Sequence, residues 1–106
     1  MTPLIEGLPP SPRGGHSATK FNRFIIVFGG HYYSGQKEQI SQGFKYLNDL
    51  YVLDIDNNKW TQPHSTGIPP SPRYGHGAVM AGQRIIYFGG KGVKNTVYKD
   101  MYALDP

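Results

Sequence analysis

Two pairs of arginine and histidine are the residues of this sequence whose types and spacing suggest binding chemistry. Arg13 precedes His16 by three positions, and Arg73 precedes His76 by the same distance, sixty residues further along the chain. A guanidinium group can hold a carboxylate or a phosphate through two parallel N–H bonds. An imidazole can serve as a general base or as a metal ligand. Both arginines are therefore candidates for contact with a binding partner.

The same residues also have a structural interpretation. Each arginine could pair with Asp49, Asp100 or a main-chain carbonyl, because a residue that recurs in every unit of a repeat usually serves that unit. The two histidines occupy equivalent positions in two copies, whereas a metal site needs three or four converging ligands. The chain contains no Cys, which excludes thiolate ligands and a cysteine nucleophile. We expect no metal, no cofactor and no catalytic residue.

A second candidate set is aromatic and lies in segment 31–47, which is polar between its aromatic ends. Its members are Tyr32, Tyr33, Phe44 and Tyr46. The corresponding segment of the second copy, 91–98, is nine residues shorter. Length variation confined to one connection is typical of a surface loop, where binding residues often occur. These side chains could contact a partner or pack within the loop, and the sequence leaves both interpretations open.

An internal repeat must position all of these candidates. Residues 9–30 read PPSPRGGHSATKFNRFIIVFGG and residues 69–90 read PPSPRYGHGAVMAGQRIIYFGG, with thirteen of the twenty-two positions identical. NDLYVLD at 48–54 recurs as KDMYALD at 99–105. A period of several tens of residues indicates a repeat architecture.

Within each copy the pattern predicts short antiparallel strands and no helix. In the first copy we expect strands at 15–19, 24–28, 48–54 and 59–62. The apolar run 24–28 is followed by two glycines, which we interpret as the end of that strand. Paired glycines at such a position indicate positive φ or a close approach of backbone.

The order of these motifs resembles the kelch repeat. Pro-Arg-x-Gly-His, an apolar strand ending in Gly-Gly, NDLYVLD and a following Trp occur in the family's order over roughly residues 9–106. The residues at the family's diagnostic positions are Gly29, Gly30, Tyr51 and Trp60, and again Gly89, Gly90 and Tyr102. The resemblance implies an all-β fold of four-stranded antiparallel kelch blades of a β-propeller, with roughly two blades present. It also implies that Tyr51, Tyr102 and Trp60 pack between blades, and that the small residues at 15–18 and 75–78 form inner strands.

The resemblance divides the chain into four parts. Residues 1–12 are the linker and the tail of a preceding outer strand, 13–62 are blade 1, 63–72 are the inter-blade linker, and 73–106 are blade 2 without its outer strand. Propellers have about four to eight blades. We therefore expect a fragment of a longer kelch protein, ordered on its own as a homo-oligomer.

Connections in an up-and-down blade alternate between the two ends of its sheet, so segments 31–47 and 91–98 and the Pro-rich linkers should share one end. Counting these segments and the repeated arginines, Glu6 and Glu38 oppose six basic residues: Arg13, Lys37, Lys45, Arg73, Lys91 and Lys94. The sequence therefore predicts a non-catalytic protein-interaction module whose basic, loop-rich face favours an acidic or phosphorylated protein partner.

The composition of the chain disfavours other classes of partner and of protein. The net charge of +4 is dispersed, without a basic tract, which disfavours a nucleic-acid partner. No apolar run approaches the ~18 residues of a membrane span, and no secretory signal is visible, so we expect an intracellular, cytoplasmic protein. The alternative is the kelch region of a multidomain enzyme such as a serine/threonine phosphatase, whose kelch-linked members carry similar PPxPRxGH and NDLYVLD text. A copper-radical oxidase, another kelch enzyme, needs a Cys that this chain lacks.

Overall fold

Two antiparallel sheets form the fold of the computed structural model, which describes residues 6–33, 43–63, 67 and 69–105. The first sheet, here called blade 1, has the order β1 (Ser17–Phe21), β2 (Phe24–Tyr33), β3 (Phe44–Asp54) and β4 (Lys59–Thr61). The second, blade 2, has the order β5 (Gly77–Ala81), β6 (Arg84–Phe88) and β7 (Met101–Leu104). The predicted all-β fold of antiparallel blades is confirmed.

The glycine pair interrupts β2 but does not end it, so the prediction that the strand stops there is wrong. Gly29 and Gly30 have φ of 71° and 102° and form a bulge, at which the register with β3 shifts. Pairing then continues as far as Tyr33 and Phe44. Both ends of the predicted loop are therefore strand, and its residues 34–42 lie outside the described residues.

The described part of the chain has one short helical element, a 3₁₀ turn at Val93–Asn95 in the connection between β6 and β7. The turn holds Lys94 at a positive φ of 56°, so it is not a regular helix. The prediction of an all-β chain without helices agrees with the described residues. No helix among the described residues has the length and apolar character needed to cross a bilayer.

The apolar core lies between the two sheets. Ile26 and Phe28 of β2 pack against Ile85 and Tyr87 of β6, and each of the four is at most 4% exposed. The rings of Phe28 and Tyr87 lie 4.8 Å apart, centre to centre. Partly buried apolar residues surround this cluster: Phe21, Leu50, Val52, Ala78, Met80 and Leu104. A single sheet cannot bury its own face, so each blade depends on its neighbour for stability.

Main-chain hydrogen bonds also join the two blades. The N–H of Gly30 donates to the carbonyl of Arg73 over 2.8 Å, and the N–H of Arg73 donates to the carbonyl of Leu47 over 3.0 Å. A third bond runs from the N–H of Gly75 to the carbonyl of Gly15 over 2.8 Å. The arginine of the second copy is thus fixed to the glycine bulge of the first.

The N-terminal segment pairs with the outer edge of blade 1. The N–H of Glu6 donates to the carbonyl of Asn58 over 2.7 Å, and the N–H of Trp60 donates to the carbonyl of Glu6 over 2.9 Å. Asn58 belongs to the turn between β3 and β4, at the end of the sheet opposite the connection between β2 and β3. Glu6 therefore lies at the end of the sheet opposite the loop-bearing end, and the prediction that it belongs to the loop-bearing end is wrong.

Candidate functional site

Arg13 is enclosed by blade 1, and its side chain is 3% exposed. Both Nη atoms of its guanidinium donate hydrogen bonds to the carboxylate of Asp49, and the bond from Nη2 is 3.1 Å long. Nη1 also donates to the carbonyl of Gly29, and Nε donates to the carbonyl of Ser11, each over 3.1 Å. The ring centre of Tyr51 lies 5.6 Å from the guanidinium carbon. We call this arrangement, and its copy in blade 2, the arginine clamp.

Arg73 repeats the arginine clamp in blade 2 with its side chain 1% exposed. It holds the carboxylate of Asp100 with both Nη atoms and donates to the carbonyls of Gly89 and Ser71, each over 3.0 Å. Hydrogen bonds from Arg73 keep the pKa of Asp100 below its ordinary value. The ring of Tyr98 lies 4.0 Å from the guanidinium carbon, and that of Tyr102 lies 5.5 Å from it.

The arginine clamps support the structural interpretation of the repeated arginines. A buried guanidinium is stabilised only when charge and hydrogen-bond partners surround it, and both clamps supply them from within one blade. Direct contact between Arg13 or Arg73 and a partner stays a prediction, since such contact requires these donors to change partners.

Five aromatic rings form a cluster at the loop-bearing end, across both blades. They belong to His31, Tyr33, Phe44, Tyr46 and Tyr74, here called the aromatic cluster. The ring of His31 lies 4.1 Å from that of Tyr74, and the ring of Tyr46 stacks on Tyr74 at 5.5 Å. Phe44 contacts both His31 at 5.4 Å and Tyr33 at 5.3 Å. The outer rings remain accessible, with Tyr33 58% and Phe44 39% exposed.

Strand geometry separates the four aromatic residues that the sequence singled out. Tyr33 pairs with Phe44 across β2 and β3, and His31 pairs with Tyr46, so these side chains share one face of the sheet. Tyr32 pairs with Lys45 between them, and successive residues of a strand point to opposite faces. Tyr32 therefore lies on the other face, away from the aromatic cluster.

Two members of the aromatic cluster, His31 and Tyr74, were not predicted from the sequence. His31 is held by its own hairpin and by a contact of 3.1 Å between its Nδ1 and the carbonyl oxygen of Gly14. Tyr74 stands where the first copy has Gly14, so it adds a ring to an otherwise identical Pro-Arg-x-Gly-His motif. The difference between Gly14 and Tyr74 inside the repeated motif is the sequence signal that could have identified Tyr74.

The two histidines of the repeat occupy different environments. His76 is buried between the blades, with its Nε2 2.9 Å from the hydroxyl of Ser17 and its ring 5.1 Å from that of Phe28, edge to face. His16 is exposed. Among the described residues no three side chains of His, Asp or Glu come together as a metal site requires.

Burial makes His76 a source of acid sensitivity. Loss of water around the ring, and secondarily the charges of Arg73 and His16, lower the pKa of His76 from 6.5 to about 4. Between those pH values the His76 ring binds a proton in the unfolded chain but not in the folded chain. The free energy of unfolding therefore falls as the pH falls from 6.5 towards 4. We expect a loss of about 2–3 kcal/mol in the free energy of unfolding.

Urea unfolding at pH 7 and at pH 4.5 checks this prediction. His76→Gln should be much less sensitive to the change of pH, because it removes the group that titrates. His16→Gln should retain the sensitivity, because burial of His76 is the larger cause of the shift. Equal pH dependence in wild type and His76→Gln would contradict the assignment.

Comparisons with known proteins give a consistent picture. The model of the KLHDC2/KLHL20/DRC7 Kelch-repeats domain matches residues 1–106. Acyl-CoA-binding domain-containing protein 4 of Arabidopsis thaliana is 34% identical over 99 residues, covering 93% of this chain and 14% of that protein. Rab9 effector protein with kelch motifs of Rattus norvegicus is 39% identical over 90 residues, covering 84% and 22%. Rho GTPase-activating protein gacHH of Dictyostelium discoideum is 35% identical over 95 residues, covering 89% and 6%. The chain therefore spans less than a quarter of each of these relatives.

Proposed function

The chain belongs to the kelch-repeat family, and on that premise we propose that it is a protein-interaction module whose contact surface is the aromatic cluster. The names of the relatives described above indicate different roles, and a shared fold does not transfer a role. The contact surface must therefore be argued from the chain itself.

The observation that carries the proposal is the exposure of Tyr33 and Phe44 on a rigid support. Large aromatic side chains are enriched among the residues that dominate binding energy at interfaces. Here they lie on two paired strands, and the neighbouring rings of His31 and Tyr46 pack against Tyr74 of blade 2. A rigid aromatic anchor loses little conformational entropy when a partner binds.

Charge near the aromatic cluster favours an acidic or phosphorylated partner. Exposed Lys91 exchanges two main-chain hydrogen bonds of 2.9 Å with Tyr74. Lys45 is also exposed, but it pairs with Tyr32 and points to the other face of the sheet. Exposed Lys94 lies on the same connection as Lys91. The displacement of Glu6 to the opposite end removes one carboxylate that the sequence had counted here. Lys37 and Glu38 fall outside the described residues.

The double variant Tyr33→Ser/Phe44→Ser tests the proposal. Labelled peptides that carry one apolar anchor beside Asp, Glu or phosphoserine serve as probes, with uncharged versions for comparison. We expect wild type to prefer the anionic peptides, more strongly at low salt, and the double variant to bind at least about tenfold more weakly. Fluorescence anisotropy measures both effects.

A matched control replaces an apolar residue of similar exposure elsewhere. Ile55 is 38% exposed in the turn between β3 and β4, so Ile55→Ser should leave binding unchanged. Circular dichroism should show that all variants remain folded. Equal affinity in wild type and the double variant, or equal binding of charged and uncharged peptides, would contradict the proposal.

The remaining expectations belong to this proposal as well. They are a cytoplasmic location and self-association. They also include the division of the chain into a linker at 1–12, blade 1 at 13–62, the inter-blade linker at 63–72 and blade 2 at 73–106. The alternative is a kelch region within a multidomain enzyme, for which the sequence suggested a serine/threonine phosphatase. Its support is that the chain spans 6–22% of the relatives described above, and expression of the complete gene product would decide it.

A further inference from the structure

The arginine clamp of blade 1 includes a side-chain contact that the clamp of blade 2 lacks. Nη2 of Arg13 donates to the hydroxyl oxygen of Ser11 over 3.1 Å. In blade 2, the hydroxyl of the equivalent Ser71 has no hydrogen-bond partner among the described residues, although its carbonyl accepts from Nε of Arg73. Ser11 is exposed, so its hydroxyl connects a buried guanidinium to the surface.

The guanidinium of Arg13 uses all five of its N–H groups. Nε donates to the carbonyl of Ser11, Nη1 donates to Asp49 and to the carbonyl of Gly29, and Nη2 donates to Asp49 and to the Ser11 hydroxyl. Among these acceptors the neutral hydroxyl is the one that can be replaced by a charged group without loss of the Asp49 pair. Hydrogen bonds to an ionised acceptor are roughly twice as strong as neutral ones. A phosphate oxygen in the position of the hydroxyl would therefore strengthen the clamp.

Ser11 lies in a Pro-rich linker that is open to solvent. Ser11 and Pro12 are exposed, and so are Ser71 and Pro72 at the equivalent positions. Because Ser71 has a blade on each side, the exposure of this position is a property of the linker. Segments 8–12 and 69–72 contain no strand or helix, and they exchange no main-chain hydrogen bond with the main chain of another described residue. A modifying enzyme can reach such a segment.

The proline after the serine indicates the class of enzyme. Pro12 has no N–H group, and it biases the preceding residue towards extended backbone. A kinase whose peptide site accepts an extended chain, and offers no acceptor for the N–H after the serine, selects Ser-Pro. In the transfer, Oγ of Ser11 attacks the γ-phosphorus of ATP, and the bond from that phosphorus to ADP breaks. ADP leaves with the bonding electron pair, and the hydroxyl proton passes to a carboxylate base of the kinase.

We propose that Ser11 is a phosphorylation site for a proline-directed kinase and that Arg13 holds the resulting phosphate. A phosphoserine carries a charge of about −1.5 to −2 at pH 7, and Nη2 of Arg13 is already directed at its bridging oxygen. Asp49 has a charge of the same sign. Its carboxylate is 24% exposed and keeps its bonds to Arg13, so water and the guanidinium weaken the repulsion.

A phosphate on Ser11 also changes the charge of the loop-bearing end. Gly14 exchanges two main-chain hydrogen bonds of 2.9 Å with His31 of the aromatic cluster. Ser11 is three residues from Gly14, hence at most about 11 Å from it, which is close to the Debye length of about 8 Å at physiological salt. The phosphate should therefore repel an anionic partner of the aromatic cluster. This regulatory consequence rests on the proposed function.

Incubation of the chain with a purified proline-directed kinase and ATP tests the site. We expect tandem mass spectrometry to locate phosphate on Ser11. Pro12→Ala keeps the acceptor but adds an N–H group, so incorporation at Ser11 should fall by about tenfold or more. Circular dichroism should show that this variant remains folded. Absence of phosphate from Ser11, or equal incorporation in wild type and Pro12→Ala, would overturn the assignment.

A chain synthesised with phosphoserine at position 11 tests the role of Arg13. Its Tm should exceed that of the unmodified chain by about 4 °C, the shift expected when one hydrogen bond of a domain this size is strengthened. In an Arg13→Lys background the rise should largely disappear, because an ammonium group cannot reproduce the fork of the guanidinium. Arg73→Lys, the matched change in blade 2, should retain the rise. An unchanged or lower Tm, or an equal rise in both backgrounds, would overturn the role of Arg13.

Peptide binding separates this site from the proposed function. At low salt, phosphoserine at position 11 should weaken binding of the anionic peptides by about threefold or more, and should leave binding of the uncharged peptides unchanged. Equal affinity for anionic peptides with and without the phosphate would contradict the regulatory consequence. A wild type that does not prefer anionic peptides would contradict the proposed function alone, because phosphate transfer and the rise in Tm require no peptide.

Discussion

Arg73→Ala is expected to remove most of the stability of the chain. The substitution leaves the Asp100 carboxylate without its cation, and the carbonyls of Gly89 and Ser71 lose a donor. Asp100 is 38% exposed, so water can partly replace the lost cation, and the cost comes mainly from the lost hydrogen bonds of the buried guanidinium, worth about 1.5–3 kcal/mol each. Single domains are stable by about 5–15 kcal/mol in total, so we expect partial or complete unfolding, measured by urea titration with circular dichroism.

Two further variants keep this prediction testable if Arg73→Ala does not fold. Arg73→Lys retains the charge but cannot reproduce the bidentate geometry, so its stability should lie between those of wild type and Arg73→Ala. Arg84 pairs with Asp105 over 3.0 Å at the surface, with its side chain 62% exposed. Arg84→Ala should therefore cost only about 0–1 kcal/mol. Similar losses for Arg73→Ala and Arg84→Ala would show that the arginine clamp contributes no more than a surface pair.

Gly30→Ala is expected to have the second-largest effect. A Cβ at this position would lie 2.8 Å from the carbonyl oxygen of Gly14 and 3.0 Å from the Cβ of His16, at a φ of +102°. A left-handed backbone costs an L-residue about 1–2 kcal/mol, and overpacking costs about 1–3 kcal/mol more. We expect a total loss of about 2–5 kcal/mol in the free energy of unfolding.

Gly75→Ala is the matched control, because Gly75 has a φ of +68° but nothing within 4 Å of an added Cβ. It should show the backbone cost alone, about 1–2 kcal/mol. The difference between the two variants then measures how closely the chain approaches the bulge. Equal losses would mean that the bulge relaxes around a methyl group and that backbone conformation alone selects glycine there.

The sequence predicted the fold well where a local pattern and the repeat agreed. The apolar run ending at Phe28 and its copy ending at Phe88 predicted paired strands, and the acids at Asp49 and Asp100 were anticipated as partners of the arginines. The glycine pair was harder to interpret. Positive φ is compatible with a strand end or with a bulge, and only the pairing partner on β3 decides between them.

The aromatic cluster could be predicted only in part, for a physical reason. Tyr33, Phe44 and Tyr46 were selected from their position in the variable connection, whereas Tyr74 lies forty-one residues from Tyr33 and meets the cluster only through the packing of two blades. Tyr32 was selected with them because the segment was interpreted as loop, which has no alternation. Once β2 extends through it, the pleat assigns it to the other face.

The hydrogen bonds between the blades connect each copy of the repeat to the following one, since the bulge of the first copy is completed by the arginine main chain of the second. Because one copy depends on the next in this way, a gene that encodes such repeats is restricted in how it can lengthen. A tandem duplication of one whole period brings both an arginine for the bulge before it and a bulge for the arginine after it, so every new junction is matched. Loss of the part of a period that carries the arginine leaves a bulge with no arginine opposite it, whereas the segment after the glycine pair can change in length, as the nine-residue difference between 31–47 and 91–98 shows. Growth by whole periods is therefore the route that preserves the fold.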